Sequence, residues 1–372
     1  MVNGLRGIAI FGVISYHIIA GMFTRQSLPP GASVLLANGW SGVNLFFILS
    51  GFVLFLPYAA GDRTLTGPGD RLDFYRRRAW RLLPLFYAGV LGSWALAVTM
   101  LGMPVNSGQL VSVLSFAFVF DARSFGPAFN VPLWSIGDEV AFSVLFPLLV
   151  LGFRRHGAVR MVAAAAIVAL AMRIAGIWHF PALQVPTFNG DMFACRIDEF
   201  VLGMALAWAY LMGWLPRRPG LWMAGGVALI LIAWTGFDLV LREVLPPLCR
   251  AGLNDVLDAG FAVIVLAALA PRSSLGAALS WRPLQVAGMM CYSLYIWHTP
   301  LLALVAVDRA RMSAPLLAAS LASFLGLTFA VAALSYRYIE FGRIQDWRRL
   351  FLLAPATKTF RRRPAALPKG SG

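Results

Sequence analysis

Apolar residues in this chain do not alternate with polar ones; they run in long stretches that recur from one end to the other. The stretches at 5–23, 40–58, 79–101, 133–153, 159–178, 197–215, 221–241, 253–270, 286–307 and 314–338 each approach or exceed the length a helix needs to cross ~30 Å of hydrocarbon at ~1.5 Å per residue. A further piece, 110–120, is too short to cross and suits a re-entrant or surface segment. The pattern predicts an all-α polytopic membrane protein with about ten transmembrane helices plus that short segment. Residues 1–340 form its membrane domain and 341–372 a basic, disordered cytoplasmic tail. The first stretch is polar at its centre and lacks a small-residue cleavage site, so it reads as a retained helix and not a signal peptide.

Composition agrees: of 372 residues 59% are hydrophobic and 13% charged, with mean hydropathy +0.75. The three cysteines, Cys195, Cys249 and Cys291, lack metal-ligand spacing and nearby histidines, so no metal is expected. The net charge of +15 raises the question of nucleic acid, but no reader motif accompanies it, and the basic residues gather on one membrane side. With a cytoplasmic N-terminus and a short segment that does not cross, the inner side takes six arginines between 63 and 81 and three between 154 and 160. It also takes Arg217, Arg218, Arg272, Arg282 and nine Lys or Arg from Arg337 onward. The outer side takes Arg25, Arg123, Arg196, Arg242, Arg250, Arg309 and Arg311. Letting the short segment cross would expose the cluster at 154–160 and invert every later loop. The positive-inside bias therefore favours both termini in the cytoplasm of an inner-membrane protein.

Titratable groups within the apolar stretches are the candidate chemistry, because ionisable side chains in lipid are costly and usually functional. His17 lies eleven residues after Arg6, ~16 Å along a helix axis, which places a cation at one membrane face and an imidazole near the bilayer centre. His298 lies at a matching depth. Pro300 follows it closely, so His298 stands between a catalytic role and that of donor to a carbonyl freed by the proline. Glu139 sits about two turns inside its helix and needs a partner, either His17 or an arginine. Arg78 and Arg81 project from one helix side at i and i+3 and suit a phosphate, or simply anchor the helix. Ser50-Gly51 allows close approach of a helix or a ligand. Trp134 fits the interfacial belt. Ser50 and Trp134 are the candidate substrate contacts.

Six segments carry these residues: Arg6 with His17, GVNLFFILSGF at 42–52, Arg78 with Arg81, WSIGDEVAF at 134–142, YSLYIWHTP at 292–300 and SYRYIE at 335–340. In this order they resemble the acyltransferase-3 family of integral membrane acyltransferases. The resemblance implies transfer of an acyl group, usually acetyl, from cytoplasmic acetyl-CoA to a sugar hydroxyl at the far side of the membrane. It makes His17 the catalytic histidine and puts Arg6, Arg78 and Arg81 on the donor. Acyl-CoA is then a substrate, with no tightly bound cofactor. The partners are the bilayer and a glycan or lipid-linked glycan. Asn3 stands where Asp is common in the family, and Phe341-Gly342 where Arg-Pro is common. Larger members append an extracytoplasmic hydrolase-like domain. None is legible here, so acceptor contacts are expected from membrane helices and outer loops.

His17 serves such a reaction as general base or as transient acyl carrier. Two other readings keep the residues but change the function: acylation of a small metabolite or lipid, and a proton-coupled transporter using buried His and Glu. No internal repeat supports the transporter. The charge distribution yields a direct test. A cysteine at position 71 should resist an impermeant reagent in intact cells while one at Gln184 reacts; labelling at 71 would overturn the topology.

Overall fold

A computed structural model describes residues 1–22, 38–104, 106–179, 188–271, 273–305 and 313–340. The tail at 341–372, the positions Arg25, Arg309 and Arg311, and the labelling site Gln184 lie outside the described residues. Among those described, every regular element is helical. In chain order they are α1 (Val2–Met22), α2 (Gly42–Ala59), α3 (Pro68–Thr99), α4 (Ser107–Leu114), α5 (Leu133–His179), α6 (Phe188–Asp191) and α7 (Phe193–Leu211). They continue with α8 (Pro219–Leu241), α9 (Cys249–Leu269), α10 (Ser274–Ala278), α11 (Arg282–Met289), α12 (Cys291–Val305) and α13 (Ala314–Ser335). The protein is an all-α, multi-pass membrane protein.

Seven helices among the described residues are long and apolar enough to cross a membrane, or eight if α11 and α12 form one bent span. Two features account for the difference from ten. First, α5 contains a non-helical residue, Gly157, at φ 79° and ψ 164°. A Cβ on Gly152 would lie 2.8 Å from the thioether of Met161. Nine residues along a straight helix separate two positions by ~13 Å, so the chain must reverse at Gly157 and α5 is a hairpin of two membrane-length arms. Second, α7 carries Arg196, Asp198 and Glu199 in its first turns, which lowers its hydropathy, yet Cys195, Phe200, Val201, Met204 and Ala207 are wholly buried. It is a central helix shielded by other helices, so it need not be apolar all round.

The stretch expected as a single crossing at 286–307 is corrected. It breaks at Met290, and α11 and α12 meet at 78°. The cause is packing: Gly288 sits against the Asn3 carbonyl, and Gly4 and Gly7 of α1 abut Leu279 and Leu284. Helix α11 is therefore drawn across the start of α1. The segment at 110–120 is short, as expected: α4 is followed by a 3-10 turn at Ala117–Phe120, with Phe116 left-handed between them at φ 60°.

A second close backbone contact in the interior joins α2 to α7. Gly51 meets the Phe200 backbone, and Gly203 meets Ile48 and Phe52. A Cβ at Gly203 would lie 2.8 Å from the Ile48 carbonyl carbon and 2.9 Å from the Phe52 amide nitrogen, where neither atom can yield by changing rotamer. In a membrane, close backbone approach of this kind supplies the packing that apolar burial cannot. Gly203→Val should destabilise the protein by about 1–3 kcal/mol or more. The check is a lowered thermal midpoint in detergent; an unchanged midpoint would show that the two helices are not held at this distance.

Candidate functional site

Helix α12 brings His298 to the core through a defect that Pro300 creates. Proline has no N–H, so the Ile296 carbonyl loses its helical donor. Asn130 Nδ2 supplies the bond at 3.0 Å, and Thr299 Oγ fixes that amide by donating to Asn130 Oδ1 at 2.7 Å. His298 is thus not the donor to the freed carbonyl. Its Nδ1 is 2.7 Å from the Tyr295 carbonyl, and its Nε2 is 3.2 Å from His17 Nδ1. The two intramembrane histidines form a dyad, with ring centroids 4.8 Å apart and planes at 71°.

The hydrogen bonds assign the protons. His17 Nδ1 is also 2.9 Å from the Val13 carbonyl. Carbonyls only accept, so in the neutral dyad both Nδ1 atoms carry hydrogen, and His298 Nε2 accepts from His17. His17 Nε2 keeps its lone pair. His298 is fully buried, while the partly buried His17 lines a cavity of about 200 Å³ with Tyr16, Trp40, Trp134, Asp191, Arg196 and other residues. An unprotonated imidazole nitrogen on a cavity wall is able to take a proton or attack a carbonyl.

A second cavity, of about 210 Å³, lies toward the other end of α1 and gathers Arg6, Arg78, Arg81, Ser50 and Glu139. Arg78 pairs with Glu139 at 2.5 Å, and its Nε donates to Ser143 at 3.0 Å. Of the two partners expected for Glu139, the structure gives the arginine. Arg81 pairs with Glu340, whose other oxygen accepts from Ser293 at 2.7 Å. The helical ladder becomes a π-turn over Tyr336–Glu340 after α13, and Glu340 is buried there. Arg6 makes no hydrogen bond or ion pair among the described residues. Arg78 and Arg81 do share one cavity, as their i, i+3 spacing predicts, but each is already held by its own carboxylate.

The two cavities share Val43 and Tyr295 as walls. Tyr295 is fixed there by the Ser135 hydroxyl, which donates to its phenol oxygen at 2.7 Å. The first turns of α5 serve both sides: Ser135 and Glu139 face the arginine cavity, and Trp134 faces that of His17. Ser50 also faces the arginines, while neighbouring Gly51 is spent on packing against α7.

Sequence reading missed a buried polar network around Arg196, which it counted as an outer-loop cation. Arg196 is only 3% exposed. It lies 3.1 Å from Asn44, 2.9 Å from Glu199, 3.4 Å from Asn254 and 3.6 Å from Asp191, with its guanidinium over the rings of Phe47 and Trp134. Close by, Arg173 pairs with Asp198 at 2.5 Å and Asp255 at 2.7 Å. The signal was available, since three charges in four residues at 196–199 open a membrane-length stretch. Starting that stretch one residue late, at Ile197, hid it.

Comparison with known proteins matches residues 2–337 to a family model described as an acyltransferase domain. Among similar proteins, the peptidoglycan O-acetyltransferase OatA of Listeria monocytogenes is 26% identical over 367 residues, covering 91% of this chain and 54% of the relative. The O-acetyltransferase OatA of Staphylococcus aureus is 25% identical over 389 residues, covering 96% of this chain and 59% of the relative. The chain thus spans somewhat over half the length of these relatives. No solved structure matches it. The chain belongs to the acyltransferase-3 family.

Proposed function

We propose that the chain moves an acetyl or similar short acyl group from cytoplasmic acyl-CoA to a hydroxyl of a cell-surface glycan or its lipid-linked precursor. The observation that carries this reading is the pair of cavities along α1, one lined with arginines and one with the histidine dyad, sharing Tyr295 and Val43. An anionic nucleotide with a long thin arm suits the first, and an acceptor hydroxyl reaches His17 from the second. The relatives named as O-acetyltransferases, one of them of peptidoglycan, favour a cell-wall glycan over a small metabolite or a lipid. In this reading the protein lies in the inner membrane with both termini cytoplasmic.

Two routes conserve atoms and charge. In direct transfer His17 Nε2 takes the proton from the acceptor hydroxyl as its oxygen attacks the thioester carbonyl; the tetrahedral intermediate expels the CoA thiolate, which recovers that proton. In the relay, Nε2 attacks first and releases thiolate. The acceptor then takes the acyl group from the imidazole and leaves its proton behind. Both need the Nδ1-protonated tautomer, which the Val13 carbonyl and His298 hold. His298 is thereby a positioning residue that also stabilises charge developing on His17, much as an acceptor behind a catalytic histidine does elsewhere. Glu139 acts through Arg78 and not on the reacting atoms. A transporter would leave the His17 tautomer without a chemical purpose.

The pairing of Arg78 with Glu139 dictates the donor-site test. Arg78→Gln alone leaves a carboxylate uncompensated beside the phosphates, so its effect is ambiguous. Arg78→Gln/Glu139→Gln removes both charges. If Arg78 contacts the donor, acetyl-CoA affinity should remain about ten- to hundredfold weaker in the double variant, the value of a charge-assisted hydrogen bond. Arg78→Lys should not restore it fully, because an ammonium lacks the planar fork. Full recovery in the double variant would make Arg78 a mere neutraliser of Glu139.

For the chemistry, His17→Ala and His17→Gln should each lower transfer by about 10²–10⁴-fold or more while acetyl-CoA binding persists. His298→Gln keeps an acceptor near His17 Nδ1 and should lose less. Substantial transfer by folded His17→Gln protein would remove His17 from the mechanism.

A further inference from the structure

Attack on a thioester carbonyl leaves a full negative charge on its oxygen, and a site inside a membrane protein must meet that charge with a donor of its own. The cavity walls narrow the choice of donor. In the proposed reaction the thioester arrives from the arginine side and is attacked from the His17 side, so its carbon stands where the two cavities adjoin. Of the two residues lining both, Val43 is apolar and Tyr295 carries a hydroxyl. Arg196, the cation on the His17 wall, is already engaged by Asn44, Glu199 and Asp191.

The Tyr295 phenol has a hydrogen to give. Ser135 has one hydrogen and two acceptors in reach, the phenol oxygen at 2.7 Å and the Pro132 carbonyl at 3.1 Å, and the shorter contact takes it. With Ser135 as donor, the hydrogen of the phenol itself is unspent, and no acceptor for it lies among the described residues. The bond from Ser135 also polarises the phenol O–H and makes it a stronger donor. The ring is held in place: Phe46 meets it edge-on at 6.1 Å, and the His298 ring lies 5.6 Å away. His298 touches His17 on its other side, so phenol and reactive imidazole flank one buried histidine.

We propose that Tyr295 is the oxyanion donor of the transfer step. The inference rests on the acyl-transfer reading and adds a catalytic residue to it. As the acceptor oxygen bonds to the thioester carbon, the C=O electron pair moves onto oxygen, and the phenol O–H donates to that oxygen while keeping its proton. Collapse re-forms the carbonyl and breaks the C–S bond, and the thiolate leaves with the proton held on His17 Nε2. In the relay Nε2 attacks first, and the same oxygen faces the same phenol. A donor fixed beforehand in a water-poor site costs no reorganisation when the charge appears.

The test uses the full chain in lipid nanodiscs and Tyr295→Phe, which removes the hydroxyl and lets Ser135 turn to the Pro132 carbonyl. Transfer of labelled acetyl from acetyl-CoA into isolated cell envelopes should show kcat lowered by about 10²–10³-fold, the loss of one oxyanion donor, with KM for acetyl-CoA little changed. Two CoA ketones separate this from a structural role. A methyl ketone mimics the ground-state carbonyl, while a trifluoromethyl ketone adds water, a hydroxyl or an imidazole and presents the tetrahedral oxygen. Wild-type protein should prefer the trifluoromethyl ketone by about a hundredfold or more. Tyr295→Phe should lose about tenfold of that preference and bind the methyl ketone as before. If the variant does not fold, a fluorinated tyrosine at position 295 keeps the ring and its bond; its more acidic phenol should move the alkaline limb of the rate profile to lower pH. An equal loss for both ketones, wild-type kcat in Tyr295→Phe, or an unmoved alkaline limb would overturn the assignment and leave acyl transfer itself standing. Wild-type protein that transfers no acetyl group yet keeps a Tyr295-dependent ketone preference would support the oxyanion donor while removing the glycan-transfer reading; with no such preference, both fall.

Discussion

Hydrocarbon offers a polar side chain nothing to bond, and that constraint arranges the interior of this protein. Several of its buried charges are met by protein groups drawn from other helices: Arg78 with Glu139, Arg81 with Glu340, and Arg173 with Asp198 and Asp255. Each pair ties two segments together, and removing one member would leave a charge stranded in low dielectric, far costlier than the pair itself is stabilising. The same constraint explains why polar groups cluster at two cavities. Once water or a substrate reaches the interior, the groups around it are no longer confined to one another.

The proline in α12 shows how a local defect becomes a site. Pro300 removes one backbone donor, and the Ile296 carbonyl must be satisfied within the protein. Asn130, on the loop before α5, does so and in doing so fixes that loop against α12. His298 keeps a different carbonyl, that of Tyr295, and is left with an acceptor nitrogen aimed at His17. Had His298 capped the proline gap instead, the dyad's proton order would have been lost.

What could be read from the sequence divides along one physical line. A titratable residue within an apolar run betrays itself, so His17, His298 and Glu139 were legible, and the i, i+3 spacing of Arg78 and Arg81 correctly put both on one cavity. Partnerships between distant segments were legible only as far as a shared membrane face allows, which sets Glu340 near the arginines at 76–81, one of which, Arg81, it pairs with. The break at Met290 comes from how α1 seats α11, not from the methionine itself. Helix edges were the weakest part: moving one boundary by a single residue turned Arg196 from a buried network centre into a loop cation. Hydropathy alone grades α7 below its neighbours because its charges are answered by protein and not by lipid.

The acyl transfer proposed for this protein faces a conflict that its architecture addresses. The donor and acceptor must meet, but a continuous polar passage would conduct ions and protons. Here the two cavities approach from opposite ends of α1 and are divided by Val43 and by Tyr295, which Ser135 holds in place. In the proposed reaction only a narrow group, such as a thioester at the tip of a flexible arm, would need to pass that wall, with an anionic nucleotide left beside the arginines. The dyad fits the same need, because it stores and returns one proton locally, between two neutral imidazoles, and asks for no chain of water to either face.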